Sequence, residues 1–203
     1  MPTITASAVK ALRDKTLLPM MDCKQAVEAT GGDEESAIRW LREKGLKTMA
    51  SRTDRTTEEG LIAIYASLDS GVGAMIELQC ESAPVATNES FIQLANDLAK
   101  QLATGPGAAT PDELWAQPSP SKKGVSLADQ RDELANQIRE VFRLKRIARI
   151  DGPSGGYVPH TGKDAALVPV EGGTPEVVKD VALPTVAMRP LATRKEELNP
   201  EDV

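Results

Sequence analysis

Helix breakers divide the first 45 residues at short intervals, at Leu17-Leu18-Pro19, Gly31-Gly32 and Gly45, and restrict that stretch to three helices of about ten residues each. Helices this short bury little alone, so the three must share one small core. Thr5 is placed to cap the first helix, with Val9 and Leu12 on one face as far as Lys15. Asp22 can open the second, with Cys23, Ala26 and Val27 as its apolar stripe, and Asp33 the third. Glu34 and Glu35 then suit the positive end of the third helix dipole, Ile38 and Leu41 face inward, and Gly45 ends the helix.

Beyond this module the pattern changes. Lys47 to Glu59 is polar and charged without a helical stripe and reads as a linker. Leu61 to Tyr65 and Ala74 to Leu78 are apolar runs joined by Asp69-Ser70-Gly71, a hairpin pattern, and Asn88 then caps a helix with Phe91, Leu94, Ala95, Leu98 and Leu102 in a continuous stripe. Residues 104 to 125, with Gly105-Pro106-Gly107 and further prolines, read as an exposed connector. Ser126 caps another helix whose apolar positions are Leu127, Leu134, Ile138 and Val141.

The order strand, turn, strand, helix that begins at Gly60 returns from Gly156, through Thr161-Gly162-Lys163 and Ala165 to Val170, to a helix opened by Thr174-Pro175-Glu176. Pro184 falls inside that last helix and predicts a kink or a stop. The fold class expected is α+β: a three-helix module over 1–46, a linker over 47–59, a core subdomain over 60–105, a connector over 106–125, and a helix with a second sheet-plus-helix subdomain over 126–203.

The 203 residues carry a net charge of −6, which argues against nucleic acid or anionic lipid as the main partner. Aromatics are only 3% of the chain, so surfaces on which bases could stack are scarce. No run is long and apolar enough to span a bilayer, and the amino terminus lacks a leader pattern, so a soluble, cytoplasmic and unprocessed chain is expected. Cys23 and Cys80 lie far apart, with a single histidine, His160; neither a common zinc site nor a disulfide framework results.

The glycines fit neither a phosphate loop nor a dinucleotide fingerprint, and no nucleophile elbow or Cys-His pairing is present. No catalytic residue, cofactor or metal is therefore expected. What stands out instead is Leu18-Pro19-Met20-Met21 at a turn, which is either core or an apolar docking knob with two adaptable thioethers. Ser82-Ala83-Pro84-Val85, between a strand and a helix, is either a plain turn or a contact loop.

These residues resemble the bacterial elongation factor Ts family. The block Met20-Met21-Asp22-Cys23-Lys24-Gln25-Ala26-Val27, continuing through Gly32-Asp33-Glu34-Glu35-Ser36-Ala37-Ile38 to Leu41-Arg42-Glu43-Lys44-Gly45, carries the likeness most strongly. It continues in Glu59-Gly60-Leu61-Ile62, Ile76 to Glu81, and Ala86-x-Asn88-x-x-Phe91, and in the tail through Gly156-Tyr157, His160, Val181-Ala182-Leu183, Pro190 and Glu197 onward. The chain is identified as a short and diverged member.

The resemblance implies a ubiquitin-associated-type amino-terminal module and a non-enzymatic exchange factor. Its partner is elongation factor Tu, bound with GDP or without nucleotide. Leu12, Met20, Met21, Ile138, Glu140 and His160 are the implied partner contacts, and Ser82, Ala83, Pro84 and Val85 align with a loop that disturbs the partner's magnesium and phosphate site. Where the family carries Thr-Asp-Phe-Val, this chain has Ser-Ala-Pro-Val, so the acidic and aromatic wedge is missing. The residues admit three functional readings: that exchange factor, a diverged binding module with little or no exchange activity, and an enzyme acting on small metabolites. The last requires convergent polar groups around a deep pocket near His160. For His160 itself an exposed turn residue is the alternative to a partner contact.

Overall fold

Thr5 and Asp33 start their helices in the same way, each side chain accepting the backbone N–H three residues on, at 3.3 Å from Ala8 and 2.9 Å from Ser36. The computed structural model describes residues 5–198 apart from Thr53, Ser70, Thr193 and the side chain of Lys195. Thr53 of the expected linker, Ser70 of the expected turn and the tail beyond residue 198 lie outside the described residues.

The elements in chain order are α1 (Ala6–Thr16), α2 (Met20–Ala29), α3 (Glu34–Ala50), β1 (Glu59–Ala66), β2 (Val72–Cys80), α4 (Ala83–Ala86), α5 (Glu89–Thr104), α6 (Pro111–Trp115), α7 (Leu127–Ile138), β3 (Arg143–Asp151), β4 (Ser154–Tyr157), β5 (Ala166–Pro169) and α8 (Pro175–Met188), followed by a 3-10 turn at Lys195–Glu197. The architecture is mixed: amino-terminal helices, then small antiparallel sheets with helices, as the sequence pattern predicts. The described residues form two compact units, one drawn from residues 5–60, 79–94 and 115–143, the other from 61–78, 95–114 and 144–198.

In the first unit, α1, α2 and α3 close over Val9, Leu12, Leu18, Cys23, Ala26, Val27, Ala37 and Leu41, with Trp40 against the cluster. Burying each leucine there contributes about 1.5–3 kcal/mol, which is how three weak helices hold together. Three local expectations are corrected. Helix α2 begins at Met20 behind Pro19, with Asp22 in its first turn rather than at the cap. Ile38 is 40% exposed, and Ala37 faces inward beside Leu41. Helix α3 runs through Gly45 to Ala50, and the glycine serves a close approach in place of a helix stop: a Cβ there would lie 2.5 Å from Cγ of Asn136 in α7.

The rest of the first unit packs around aromatic anchors. Phe91 of α5 meets Phe142 edge to face with ring centroids 5.0 Å apart, and the Arg131 guanidinium lies 4.8 Å from the centre of the Trp115 ring. Trp115 is buried here, and Leu114, which belongs to the second unit, is buried as well, so residues 104–125 are not exposed throughout as the connector reading expects. Ser126 caps α7 by accepting from the Asp129 N–H at 3.0 Å. The helix stops at Ile138 with Arg139 in the left-handed region (φ 71°), so Val141 does not continue its apolar face.

In the second unit β2 lies between β1 and β3, and β3 is a strand the sequence pattern did not anticipate. Strands β4 and β5 pair antiparallel, Ser154 opposite Pro169 and Tyr157 opposite Ala166. Gly73 permits the approach of buried Ser154, whose hydroxyl oxygen would clash with any Cβ at position 73. Helix α8 covers this hairpin through Val178, which packs against Gly155. It passes Pro184 without stopping, and the Thr185 hydroxyl donates to the Val181 carbonyl at 2.7 Å.

Candidate functional site

Strand β2 ends at Cys80, and the chain turns at once into α4, so residues 81–85 form a corner. Ser82 stands at the N-cap position of α4, yet its side chain makes no cap hydrogen bond. Its hydroxyl donates instead to Oε1 of Glu140 at 2.5 Å, while Oε2 of Glu140 accepts from the backbone N–H groups of Glu81 and Ser82, each at 3.1 Å. Glu81 answers in the opposite direction. Its Oε1 accepts from the Val141 N–H at 2.8 Å and its Oε2 from Nη1 of Arg55 at 2.9 Å.

Burial by itself raises the Glu81 pKa, but the Val141 amide and the Arg55 guanidinium outweigh it and hold the carboxyl below the usual range. Cys80 completes the corner, its thiol 3.3 Å from the Ser82 carbonyl oxygen. Burial, reinforced by the negative charge of Glu140, pushes that thiol up to about 11, so it stays protonated as a donor. Within the corner Ala83 and Pro84 are exposed and Val85 is buried.

A second network ties the three-helix module to the segment that carries Glu140. Asp22 of α2 accepts from Nζ of Lys44 at 2.7 Å and from the guanidinium of Arg139. The Arg139 carbonyl accepts from Nη1 of Arg52 at 2.5 Å, and Nε2 of Gln137 donates to the Thr16 carbonyl at 3.2 Å. Arg52 and Arg55 thus serve as anchors within a stretch whose composition reads as linker. Neither contact has a sequence signal, because the pairs lie 87 and 26 positions apart.

The residues singled out from sequence fall into different positions. Met20 and Met21 are 48% and 62% exposed at the start of α2, next to Asp22. Leu12 is 2% exposed and packs in the three-helix core. Leu18 is likewise buried. Ile138, half-buried, ends α7, and Glu140 directs both oxygens inward to the corner. The first unit therefore links Met20 and Met21, through Asp22 and Arg139, to Glu140 and Ser82–Val85. His160 belongs to the second unit, exposed in the turn between β4 and β5 that the Gly162 N–H closes on the Pro159 carbonyl at 2.9 Å.

Two cavities of about 390 and 320 Å³ are both lined by residues of the first unit, and His160 borders neither. Among the described residues no group of three His, Cys, Asp or Glu side chains is arranged to hold a metal ion, and no helix is long and apolar enough to cross a membrane. The first unit thus presents two exposed methionines and a corner whose backbone is held by Glu81 and Glu140.

A family model described as elongation factor TS matches residues 81–203. The chain is 36% identical over 196 residues to elongation factor Ts of Clostridium botulinum, covering 93% of this chain and 64% of that one. It is 44% identical over 149 residues to elongation factor Ts of Oleidesulfovibrio alaskensis, covering 73% and 67%, and 41% identical over 155 residues to that of Solidesulfovibrio magneticus, covering 75% and 74%. The chain belongs to the elongation factor Ts family, a family of translation elongation factors. It spans 64% of the length of the Clostridium relative.

Proposed function

We propose that the chain is a guanine-nucleotide exchange factor that binds elongation factor Tu, with GDP or without nucleotide, and promotes GDP release in the cytoplasm without making or breaking covalent bonds. The observation that carries this reading is the pinned corner: Ala83 and Pro84 stand exposed at the position where the family's Thr-Asp-Phe-Val falls, held there by Glu140. Met20 and Met21 supply an exposed apolar contact on the same unit.

The physics is linkage. A protein that binds the nucleotide-free partner more tightly than the GDP-bound one must, by reciprocity, weaken that partner's hold on GDP. A corner pressed toward the partner's magnesium site would act on the ion that shields the diphosphate, whose loss leaves a large uncompensated charge. The test is stopped-flow release of a fluorescent GDP analogue from elongation factor Tu. Acceleration that saturates with concentration is expected, and an unchanged release rate at saturation refutes the exchange role.

Ala83 and Pro84 favour a second reading, since they offer neither acid nor aromatic ring at the corner. A binding module without exchange activity would hold elongation factor Tu in a pull-down while leaving the GDP release rate unaltered.

A further inference from the structure

The corner is held from outside itself, and each half of the hold depends on the other. Glu140 takes both amides and the hydroxyl at positions 81 and 82, and Glu81 takes the amide at 141 and the Arg55 guanidinium. Each carboxylate therefore fixes the backbone that carries the other. The serine at the N-cap of α4 gives up the usual local bond in favour of this distant one, a departure from local preference of the kind that collects at functional positions. The Ser82 carbonyl is held in turn by the Cys80 thiol and, at 3.2 Å, by the Val85 N–H. With residues 81 and 82 pinned, Ala83 and Pro84 have little backbone freedom left to lose on docking.

We infer that Glu140 and Glu81 are positioning residues: a reciprocal carboxylate latch that presets the corner carrying Ala83 and Pro84, acting on the partner through that corner and not by touching it. This reassigns Glu140 from a partner contact to an internal support. It rests on the exchange-factor reading for its consequence, though the latch itself is a property of the free chain. A glutamine at position 140 removes the charge and keeps one acceptor oxygen: it can serve the two amides while its NH2 turns to the Ser82 hydroxyl, which must then accept, so the three charge-assisted bonds become weaker neutral ones.

The full chain carrying Glu140→Gln is compared with wild type in two measurements. Amide hydrogen exchange of the free protein should speed up at least tenfold over residues 80–86, with protection across Phe91–Leu102 of α5 unchanged. With elongation factor Tu, the maximal rate of GDP release should fall at least tenfold while the half-saturating concentration moves less than threefold. A merely structural role would instead lower protection everywhere and scale activity with the folded fraction.

Should Glu140→Gln fail to fold, Ser82→Ala removes only the hydroxyl bond and should loosen the same segment by a smaller factor. Unaltered protection over 80–86, or a loosened corner with an undiminished maximal rate, overturns the latch. If wild type itself does not accelerate GDP release from elongation factor Tu, the exchange-factor reading fails and the proposed consequence with it, while hydrogen exchange still decides whether the latch sets the corner.

Discussion

Asp22 and Arg139, 117 positions apart, form an ion pair in which the guanidinium reaches α2 from a residue in the left-handed region. A non-glycine residue in that conformation carries a strain of order 1 kcal/mol, sustained here by the bonds on both sides of the Arg139 backbone. The Asp22 side chain is only 16% exposed, so the pair escapes much of the screening that weakens surface pairs. Asp22→Asn should destabilise the protein by about 1–3 kcal/mol in urea unfolding, whereas Asp129→Asn, at a pair 41% and 62% exposed, should cost less than about 1 kcal/mol. Equal effects would mean that Asp22 is not an anchor.

Variants at Leu12 and at Met20 and Met21 test packing and docking separately. Leu12→Ala removes a fully packed side chain and should cost about 2–5 kcal/mol, seen as a lower urea midpoint with unchanged slope. The double variant Met20→Ala with Met21→Ala should stay within about 1 kcal/mol of wild type, because both side chains already face water, yet lose at least tenfold in affinity for elongation factor Tu. Undiminished affinity would remove the methionines from the interface.

Glu81 gives a pH dependence whose sign follows from its lowered pKa. The folded chain holds the carboxylate more readily than the unfolded chain does, so the stabilisation is complete above the ordinary glutamate range and is lost as pH falls through it toward the folded value. The stability difference between wild type and Glu81→Gln, measured by urea unfolding, should be about 1–3 kcal/mol near pH 7 and should shrink as pH falls below about 4.3. A difference that grows on acidification would contradict the direction of the shift.

Cys80, with its thiol near 11, should be nearly inert to alkylation in the folded state at pH 8. Its thiolate fraction there is about a hundredfold below that of an ordinary cysteine, and burial reduces access further. Mass spectrometry after timed iodoacetamide treatment should show Cys80 modified only when urea unfolds the chain. Rapid modification of native protein would show that the corner opens freely.

What the sequence revealed was mostly local. The caps at Thr5, Asp33 and Ser126 and the stripe from Phe91 to Leu102 are readable because a cap or a 3.6-residue period spans only a few positions. Strand β3 was hidden because Arg143–Asp151 buries only Leu144 and shows no alternation of apolar and polar residues. Helix α6 was hidden by the prolines and glycines around it, although Trp115 marks a buried anchor. Pro184 predicts a kink or a stop; α8 does not stop there but runs on to Met188, with Val178 and Ala182 buried.

The candidate site divides in the same way. Met20, Met21 and Ser82–Val85 were legible as a motif, while the bonds of Glu140 to residues 81 and 82 join segments 59 and 58 positions apart and leave no periodic trace. Burial of Leu12 was legible only as an apolar position on a short helix, a signature that is the same whether the residue faces core or partner.

The most direct measurement is the dissociation constant of the full chain for elongation factor Tu, taken by calorimetry once with saturating GDP and magnesium and once with nucleotide removed. Binding at least tenfold tighter to the nucleotide-free form is expected, a difference of about 1.4 kcal/mol or more that exchange requires. Equal constants for the two forms would contradict it, because a protein with no preference between two states cannot drive its partner from one to the other.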